Sequence, residues 1–320
     1  MPSINYPNPL IVLVGPTAVG KTELAIQLAK QLNGEIVSAD SRLFYRGMDI
    51  GTAKPSLADR QIVPHHLVDV AEPDDVWSLV VFQNAARQAI LDIQSRRKLP
   101  FLVGGTGQYI RSVIEGWQAP PQQPDYRMRV ALEKWAGEIG SLELHRRLSL
   151  VDPVAAASID YSNLRRTVRA LEVIFCTGRR FSEQRRKSIS PYSLLLIGLI
   201  RSRTDLHTRI DQRIDMMLEM GFADEVRNLL DKGYSPQLPT LSAIGYREMI
   251  SYIKGEMTLE EAVIQMKRMT RQFVRRQANW FKINDPHIHW FDANENTNAE
   301  IEAFIQSGQG WIMPENLIGI

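Results

Sequence analysis

Eight consecutive residues carry a legible chemistry. Gly15, Pro16, Thr17, Ala18, Val19, Gly20, Lys21 and Thr22 fit the spacing G-x-x-x-x-G-K-[ST]. In such a loop the glycines let successive backbone N–H groups curl round phosphate oxygens, and a following helix adds the positive end of its dipole. Lys21 then reaches the terminal phosphate, and the Thr22 hydroxyl suits Mg²⁺. Asp40 is the next candidate. A carboxylate beside a phosphate loop can ligate Mg²⁺ through water, take a proton from an incoming nucleophile, or merely cap its own turn. Thr106, within Gly104-Gly105-Thr106-Gly107, offers a hydroxyl flanked by backbone that a ligand can approach closely. That suits a second pyrophosphate contact or, more simply, a turn cap. Arg209 and Arg213 share a helix face at i,i+4 spacing and can clamp one anion. His65 and His66 are adjacent, so they point to opposite faces of an extended strand, and no Cys/His cluster accompanies them. A structural or substrate-lining role fits them better than a metal site.

The elements that must hold these residues follow from the apolar pattern. Leu10–Val14 predicts a buried strand ahead of the loop, and Glu23–Leu32 a helix after it, stopped near Gly34. Further strands are predicted at Glu35–Ala39, His66–Val70 and Phe101–Val103, with a helix over Ser78–Arg96 that turns Val81, Ala85, Ala89 and Ile90 inward. Alternating β and α units imply an α/β fold, a P-loop NTPase-like doubly wound parallel sheet with ligands at the carboxyl ends of its strands. Asp40 and Gly104–Gly107 then lie beside the phosphate loop. Pro120, Pro121 and Pro124 break the pattern, and helices are predicted at Tyr126–Gly140, Leu142–Leu150 and Asn163–Thr177 before a strand returns at Ser193–Ile200. The expected organisation is a catalytic core of residues 1–118 and 192–320 with an inserted all-helical domain at 119–191.

Two later helices complete this reading. Asp205–Met220 carries the stripe Ile210, Ile214, Met217 and Leu218. Leu259–Lys282 sets Ala262, Met266, Met269, Phe273 and Trp280 on one face and Arg268, Arg271, Arg275 and Lys282 on another. Past Asn284 no pattern is evident, and the end of the tail is expected to be poorly ordered.

The chain has 320 residues, 44% apolar and 23% charged, the composition of an ordinary globular enzyme with about two domains. Cys176 is its only cysteine, which excludes an intrachain disulfide and fits a reducing compartment. Met1–Pro9 lacks a basic signal-peptide start and no apolar run is long enough to span a bilayer, so a cytoplasmic location away from membranes is expected. The net charge of +2 conceals segregation. Asn163–Lys187 holds Arg165, Arg166, Arg169, Arg179, Arg180, Arg185, Arg186 and Lys187 against Glu172 and Glu183. Ile264–Lys282 holds Lys267, Arg268, Arg271, Arg275, Arg276 and Lys282 with no acid. Two such segments point to a polyanionic partner larger than a nucleotide, the plain alternative being solvated helix faces.

Further runs share one likeness. Ser38-Ala39-Asp40-Ser41, the stretch from Tyr45 through Asp49-Ile50-Gly51-Thr52-Ala53-Lys54-Pro55, Pro64-His65-His66-Leu67 and Val103-Gly104-Gly105-Thr106 resemble the bacterial tRNA dimethylallyltransferases. So do Asp152-Pro153, Arg169-Ala170-Leu171-Glu172-Val173, Gly245-Tyr246-Arg247-Glu248 and Arg271-Gln272-Phe273 with Arg276-Gln277, in that family's order. The resemblance implies transfer of a dimethylallyl group from dimethylallyl diphosphate to N6 of adenine 37 in the tRNA anticodon stem-loop, with Mg²⁺ as cofactor. A monomer is expected. By the same resemblance Asp40 is the general base, and Thr106 and Arg213 hold the diphosphate. It implies tRNA contacts at Asp40, Ser41, Arg42 and Leu43, at Arg165, Arg166 and Arg169, at Gly245, Tyr246 and Arg247, and at Arg275, Arg276, Gln277, Trp280 and Lys282. Arg129, or Arg127 in its place, is implied near the substrate. Pyrophosphate would be the leaving group, so the loop would stabilise charge developing as the allylic C–O bond breaks. The adenine would be flipped out of the RNA to reach a buried crevice.

The rivals are a P-loop kinase of a small metabolite, a prenyltransferase of free adenine nucleotides, and a non-catalytic RNA-binding ATPase module. The first two need no basic segments; the third needs neither Asp40 nor Thr106 at the crevice.

Overall fold

The computed structural model describes residues 6–118, 125–184, 186–187 and 190–316. Pro120, Pro121, Pro124, Arg185 and the end of the tail lie outside them. The chain divides into two compact units, one of Met1–Ile114 with Ile189–Ile320, the other of Glu115–Ser188.

The first unit is built on a six-stranded sheet in the order His65–His66, Gly34–Ser38, Leu99–Val103, Pro9–Val14, Ser193–Ile200, Ile288–Asp292. Every pairing is parallel. The chain winds first to one side of Pro9–Val14 and then to the other, the doubly wound arrangement. Such strands are covered on both faces and so read as continuous apolar runs. Leu10, Val12 and Val14 enter one core, with Phe82, Ala86 and Ile90 of helix Leu79–Ser95. Ile11 and Leu13 enter the other, with Leu24, Ala25 and Leu28 of helix Lys21–Gln31.

Several elements differ from the sequence expectation. The strand predicted at His66–Val70 is only His65–His66, because Leu67 and Asp69 adopt positive φ of 60° and 56° and break the pleat. Helix Leu79–Ser95, capped by Ser78, buries Phe82, Gln83, Ala86, Ile90 and Ile93, a stripe rotated from the predicted one so that Val81 is exposed. The helix predicted to reach Lys282 ends at Gln277. Beyond it the chain turns to bury Phe281, while the Trp280 carbonyl accepts from the Arg111 guanidinium at 2.9 Å. Lys282 therefore leaves the helical face, and Phe273 is exposed beneath the Arg276 guanidinium, 6.0 Å from its ring centre. The tail supplies the sixth strand, Ile288–Asp292, and helix Thr297–Gln306, whose Ile301 and Ile305 are buried. Only Ile288 of that strand is fully buried, which is why its sequence shows so little apolar signal.

The second unit is helical: Tyr126–Ile139, Ser141–Val151, Pro153–Ser158 and Leu164–Thr177 bury Leu132, Ala136, Leu144, Leu148, Val168 and Leu171 together. Caps delimit these helices. Asp125 accepts from the Met128 N–H at 3.0 Å, Asp152 from Ala155 at 3.0 Å, and Asn163 from Arg166 at 3.3 Å. Gly178, at φ 67°, ends the last of them. Asp152 also accepts from the Ser182 N–H and hydroxyl, both at 2.8 Å, which explains its burial. A two-residue antiparallel pair joins Trp117–Gln118 to Arg186–Lys187.

Candidate active site

The sheet's carboxyl edge opens into a cavity of about 490 Å³ lined by Lys21, Thr22, Asp40, Gly105, Arg209 and Arg213 among others. Its floor is the phosphate loop, which follows strand Pro9–Val14 and feeds helix Lys21–Gln31. Gly15 is required there: its φ is 149°, and a Cβ would come 2.8 Å from the Leu199 carbonyl oxygen of the neighbouring strand. Lys21 Nζ donates to the Gly15 and Pro16 carbonyls at 2.9 and 2.7 Å. Helix Arg203–Glu219 braces the outside of the loop, Arg209 Nε donating to the Ala18 carbonyl at 2.9 Å. Just ahead of that helix, Arg201 Nε donates to Val19 at 3.0 Å.

The cavity concentrates positive charge. Burial lowers the Lys21 pKa to about 8, Asp40 opposing and Arg213 reinforcing the shift. Burial likewise lowers Arg213, again against the pull of Asp40. Two half-buried cations in one cavity, with the Asp40 carboxylate acting on both, favour a polyanion, whose charge offsets the desolvation of both.

Asp40 sits past the end of strand Gly34–Ser38. One of its oxygens accepts from the Arg42 N–H at 3.0 Å, so the turn-capping reading is realised while the carboxylate still lines the cavity. The Thr106 hydroxyl accepts from the Ser41 N–H at 3.3 Å, stitching the next strand end to this one. Arg42 donates to the Thr240 and Pro239 carbonyls at 3.0 and 3.3 Å.

The Asp49–Pro55 run lines the cavity through Thr52, Ala53 and Pro55, and its residue types have separate physical reasons. Glu225 accepts from the N–H groups of Asp49, Ile50 and Gly51 at 2.8, 2.6 and 3.2 Å, and from the Tyr246 hydroxyl at 2.6 Å. Gly51 packs so closely on Phe222 that a Cβ would come 2.2 Å from its ring. Lys54 is buried and holds the carboxylates of Asp49 and Asp69 and the Tyr45 carbonyl. The run's Thr52 carbonyl accepts from Arg213 at 3.2 Å. Spacing alone gives no signal for Glu225, which reads as one more polar position on an amphipathic helix.

His65 lines the cavity, donating Nδ1–H to the Val63 carbonyl at 2.7 Å, and burial lowers its pKa. His66 instead joins Arg96 and Lys98 around Glu35. The Arg96 guanidinium, foremost among these, holds the Glu35 carboxyl well below its ordinary range. That cluster tethers strand Gly34–Ser38 at the end away from the cavity.

The remaining candidates divide by exposure. Arg165, Arg166, Arg247, Arg275, Arg276 and Lys282 are exposed. Arg247 donates to Glu248 at 2.6 Å. Arg129 and Arg169 both hold the buried Glu172, at 2.7 and 2.9 Å, whereas Arg127 is exposed. Arg271 and Lys267 pair with Asp211 and Asp215, so the basic face of helix Leu259–Gln277 is partly neutralised. Tyr246 is fully buried, Gln277 nearly so, and Trp280 packs against Gly107; these face inward. Gly245 donates its N–H to Glu248 at 2.8 Å in the capping box that starts helix Tyr246–Ile253.

Residues 43–284 match the family model described as IPP transferase. The chain belongs to that family. It is 53% identical over 274 residues to a tRNA dimethylallyltransferase of Roseiflexus sp. (strain RS-1), covering 86% of this chain and 90% of the relative. It is 44% identical over 292 residues to the tRNA dimethylallyltransferase of Thermomicrobium roseum, covering 91% and 88%. Among solved structures it is similar to a full-length tRNA isopentenylpyrophosphate transferase from Bacillus halodurans, at 42% identity, a TM-score of 0.71 and 97% and 98% of the two chains. A eukaryotic dimethylallyltransferase acting on tRNA aligns at 28% identity and a TM-score of 0.78, over 92% of this chain and 77% of that one. Within this IPP transferase, the core fold is the P-loop α/β sheet expected of the family.

Proposed function

We propose that this chain transfers the dimethylallyl group of dimethylallyl diphosphate to N6 of adenine 37 in tRNA, as a monomer in the cytoplasm. The observation that carries the reading is one cavity holding a phosphate loop, two desolvated cations and a carboxylate at the neighbouring strand end. The diphosphate lies on the loop N–H groups, Lys21 and Arg213, with the Thr106 turn beside it. As the allylic C1–O bond breaks, its electron pair passes to the diphosphate, and these fixed donors meet the new charge without reorganising. The N6 lone pair forms the bond to C1, and the N6 proton goes to Asp40.

The residues fit Mg²⁺. Among the described residues no group of three acidic, His or Cys side chains could hold a metal alone. Thr22 is exposed to the cavity at the start of the loop's helix, with Asp40 on the same wall. Magnesium beside a phosphate group is held by few protein ligands, so the site would need no larger protein cage. Thr22 would hold the ion, and when bound it would neutralise diphosphate charge.

The RNA meets the exposed cations Arg165 and Arg166 of the helical unit and Arg247, Arg275, Arg276 and Lys282 of the core. Gln277, Tyr246 and Gly245 support rather than touch it. The test incubates the protein with Mg²⁺, dimethylallyl diphosphate and unmodified tRNA and weighs the nucleosides. One adenosine per tRNA gains a dimethylallyl group, and Asp40→Asn slows single turnover by about 10²–10⁴ with tRNA affinity unchanged. Unmodified adenosine with the wild type, or normal turnover in Asp40→Asn, would overturn the reading.

A further inference from the structure

Gln277 bonds through its side chain to two loops of the cavity. Its Oε1 accepts from the Thr17 N–H at 2.9 Å and from the Thr17 hydroxyl at 3.2 Å. Its Nε2 donates to the Gly105 carbonyl at 3.0 Å. A primary amide is the side chain that accepts and donates at once over so short a span, and burial at this position makes each of those bonds costly to lose. Gly105 is shaped to admit it, since a Cβ there would lie 2.4 Å from Nε2. The residue therefore holds the first half of the phosphate loop against the turn that carries Thr106. Through the Thr106 hydroxyl that turn holds Ser41, next to Asp40. Arg275 and Arg276, immediately before it on the same helix, are exposed, whereas Gln277 ends the helix facing inward.

We propose that Gln277 is a positioning residue for the transfer: its amide fixes the spacing between the leaving-group site on the phosphate loop and the base at Asp40. This role rests on the reaction proposed above, and it differs from the RNA contact that the resemblance implies at this position. An RNA-contacting residue would govern tRNA affinity. A residue that sets the distance between reacting groups governs diphosphate binding and turnover, because small misplacements are expensive once the substrates are bound.

The test compares wild type with Gln277→Met, which keeps length and burial but neither hydrogen bond, and with Gln277→Glu, which can accept from Thr17 but cannot donate to Gly105. Calorimetry with Mg²⁺ and inorganic pyrophosphate, tRNA binding without donor, kcat at saturating substrates and hydrogen exchange over the loop are measured together. For Gln277→Met the expected result is a roughly tenfold weaker pyrophosphate Kd, a kcat lower by about 10- to 100-fold, and a tRNA Kd within about twofold. Exchange at the Thr17 amide accelerates in Gln277→Met and stays slow in Gln277→Glu. Should the methionine variant not fold, the glutamate variant alone is still expected to lose kcat while keeping its tRNA Kd. Unchanged pyrophosphate Kd and kcat, or a loss confined to tRNA affinity, overturns the proposal. If the wild type does not modify tRNA, the prenyl reading falls, and pyrophosphate binding and loop exchange judge Gln277 on their own.

Discussion

Lys21 is charged at low cost only when an anion is beside it. Its pKa of about 8 in the fold, against an ordinary 10.5, means the unfolded chain binds more protons than the folded one between those values. Stability of the unliganded protein therefore rises with pH across that window, by linkage. Diphosphate binding has the opposite sign, because the anion restores the proton to Lys21. Pyrophosphate affinity is expected to fall as pH rises above about 8, with proton uptake visible as a dependence of the binding enthalpy on buffer ionisation heat. Lys21→Met should lack that part of the uptake; a wild-type enthalpy indistinguishable from the variant's in every buffer would contradict it. A phosphate loop and strand-end residues are local signals in a sequence, and the structure puts Lys21 and Asp40 on the cavity and the Thr106 hydroxyl on the Ser41 N–H. In the sequence Gln277 stands out within a basic segment and, by resemblance, as an RNA contact, not as a residue turned toward the phosphate loop. Its inward direction depends on where the helix ends, which periodicity over Leu259–Lys282 misjudged.

At the scale of elements, the Asp49–Pro55 run shows how a motif can be recognised without its reason being visible. Its distinctive letters serve packing on helix Phe222–Asp231 and capture by Glu225, a partner far along the chain. Glu225→Ala leaves three backbone donors and the Tyr246 hydroxyl without their acceptor. It is expected to destabilise the protein by about 2–3 kcal/mol in urea unfolding, the cost of losing hydrogen bonds to a charged group. Since Arg213 rests on Thr52, the KM for the allylic diphosphate should rise as well. Wild-type stability in Glu225→Ala would mean that the run is held by Gly51 and Lys54 alone. Helix faces were read less well than helix existence. Between Leu79 and Ser95 the buried stripe is set by Phe82 and Ile93, and a one-residue rotation separates Val81 from the core.

At the scale of the molecule, the doubly wound parallel sheet followed from alternating apolar runs and helical patterns, whereas its last strand did not. Ile288–Asp292 contains His289 and Asp292 and covers an edge, so neither composition nor alternation announces it. It also lies beyond the stretch that matches the family model. Yet it pairs with Ser193–Ile200 along five register positions, from Leu196–Ile288 to Ile200–Asp292. A chain ending at Asn284 would leave that apolar strand as an unpaired edge, which invites association. Such a chain is expected to sediment as aggregate where the full chain is monodisperse. A soluble, monomeric truncation with normal pyrophosphate binding would show the edge to be dispensable.

The position of Pro9–Val14 at the middle of the sheet has a consequence for biosynthesis. One of its two neighbours, Ser193–Ile200, is translated only after the whole helical unit. At about 5–20 residues per second, the phosphate-loop strand waits on the order of ten to forty seconds for that partner. During that interval an apolar strand that ends at the centre of the fold is an open edge on a ribosome-bound chain. Translation speed through the helical unit, and holding by chaperones meanwhile, should therefore bear on yield more than any substitution in that unit's surface.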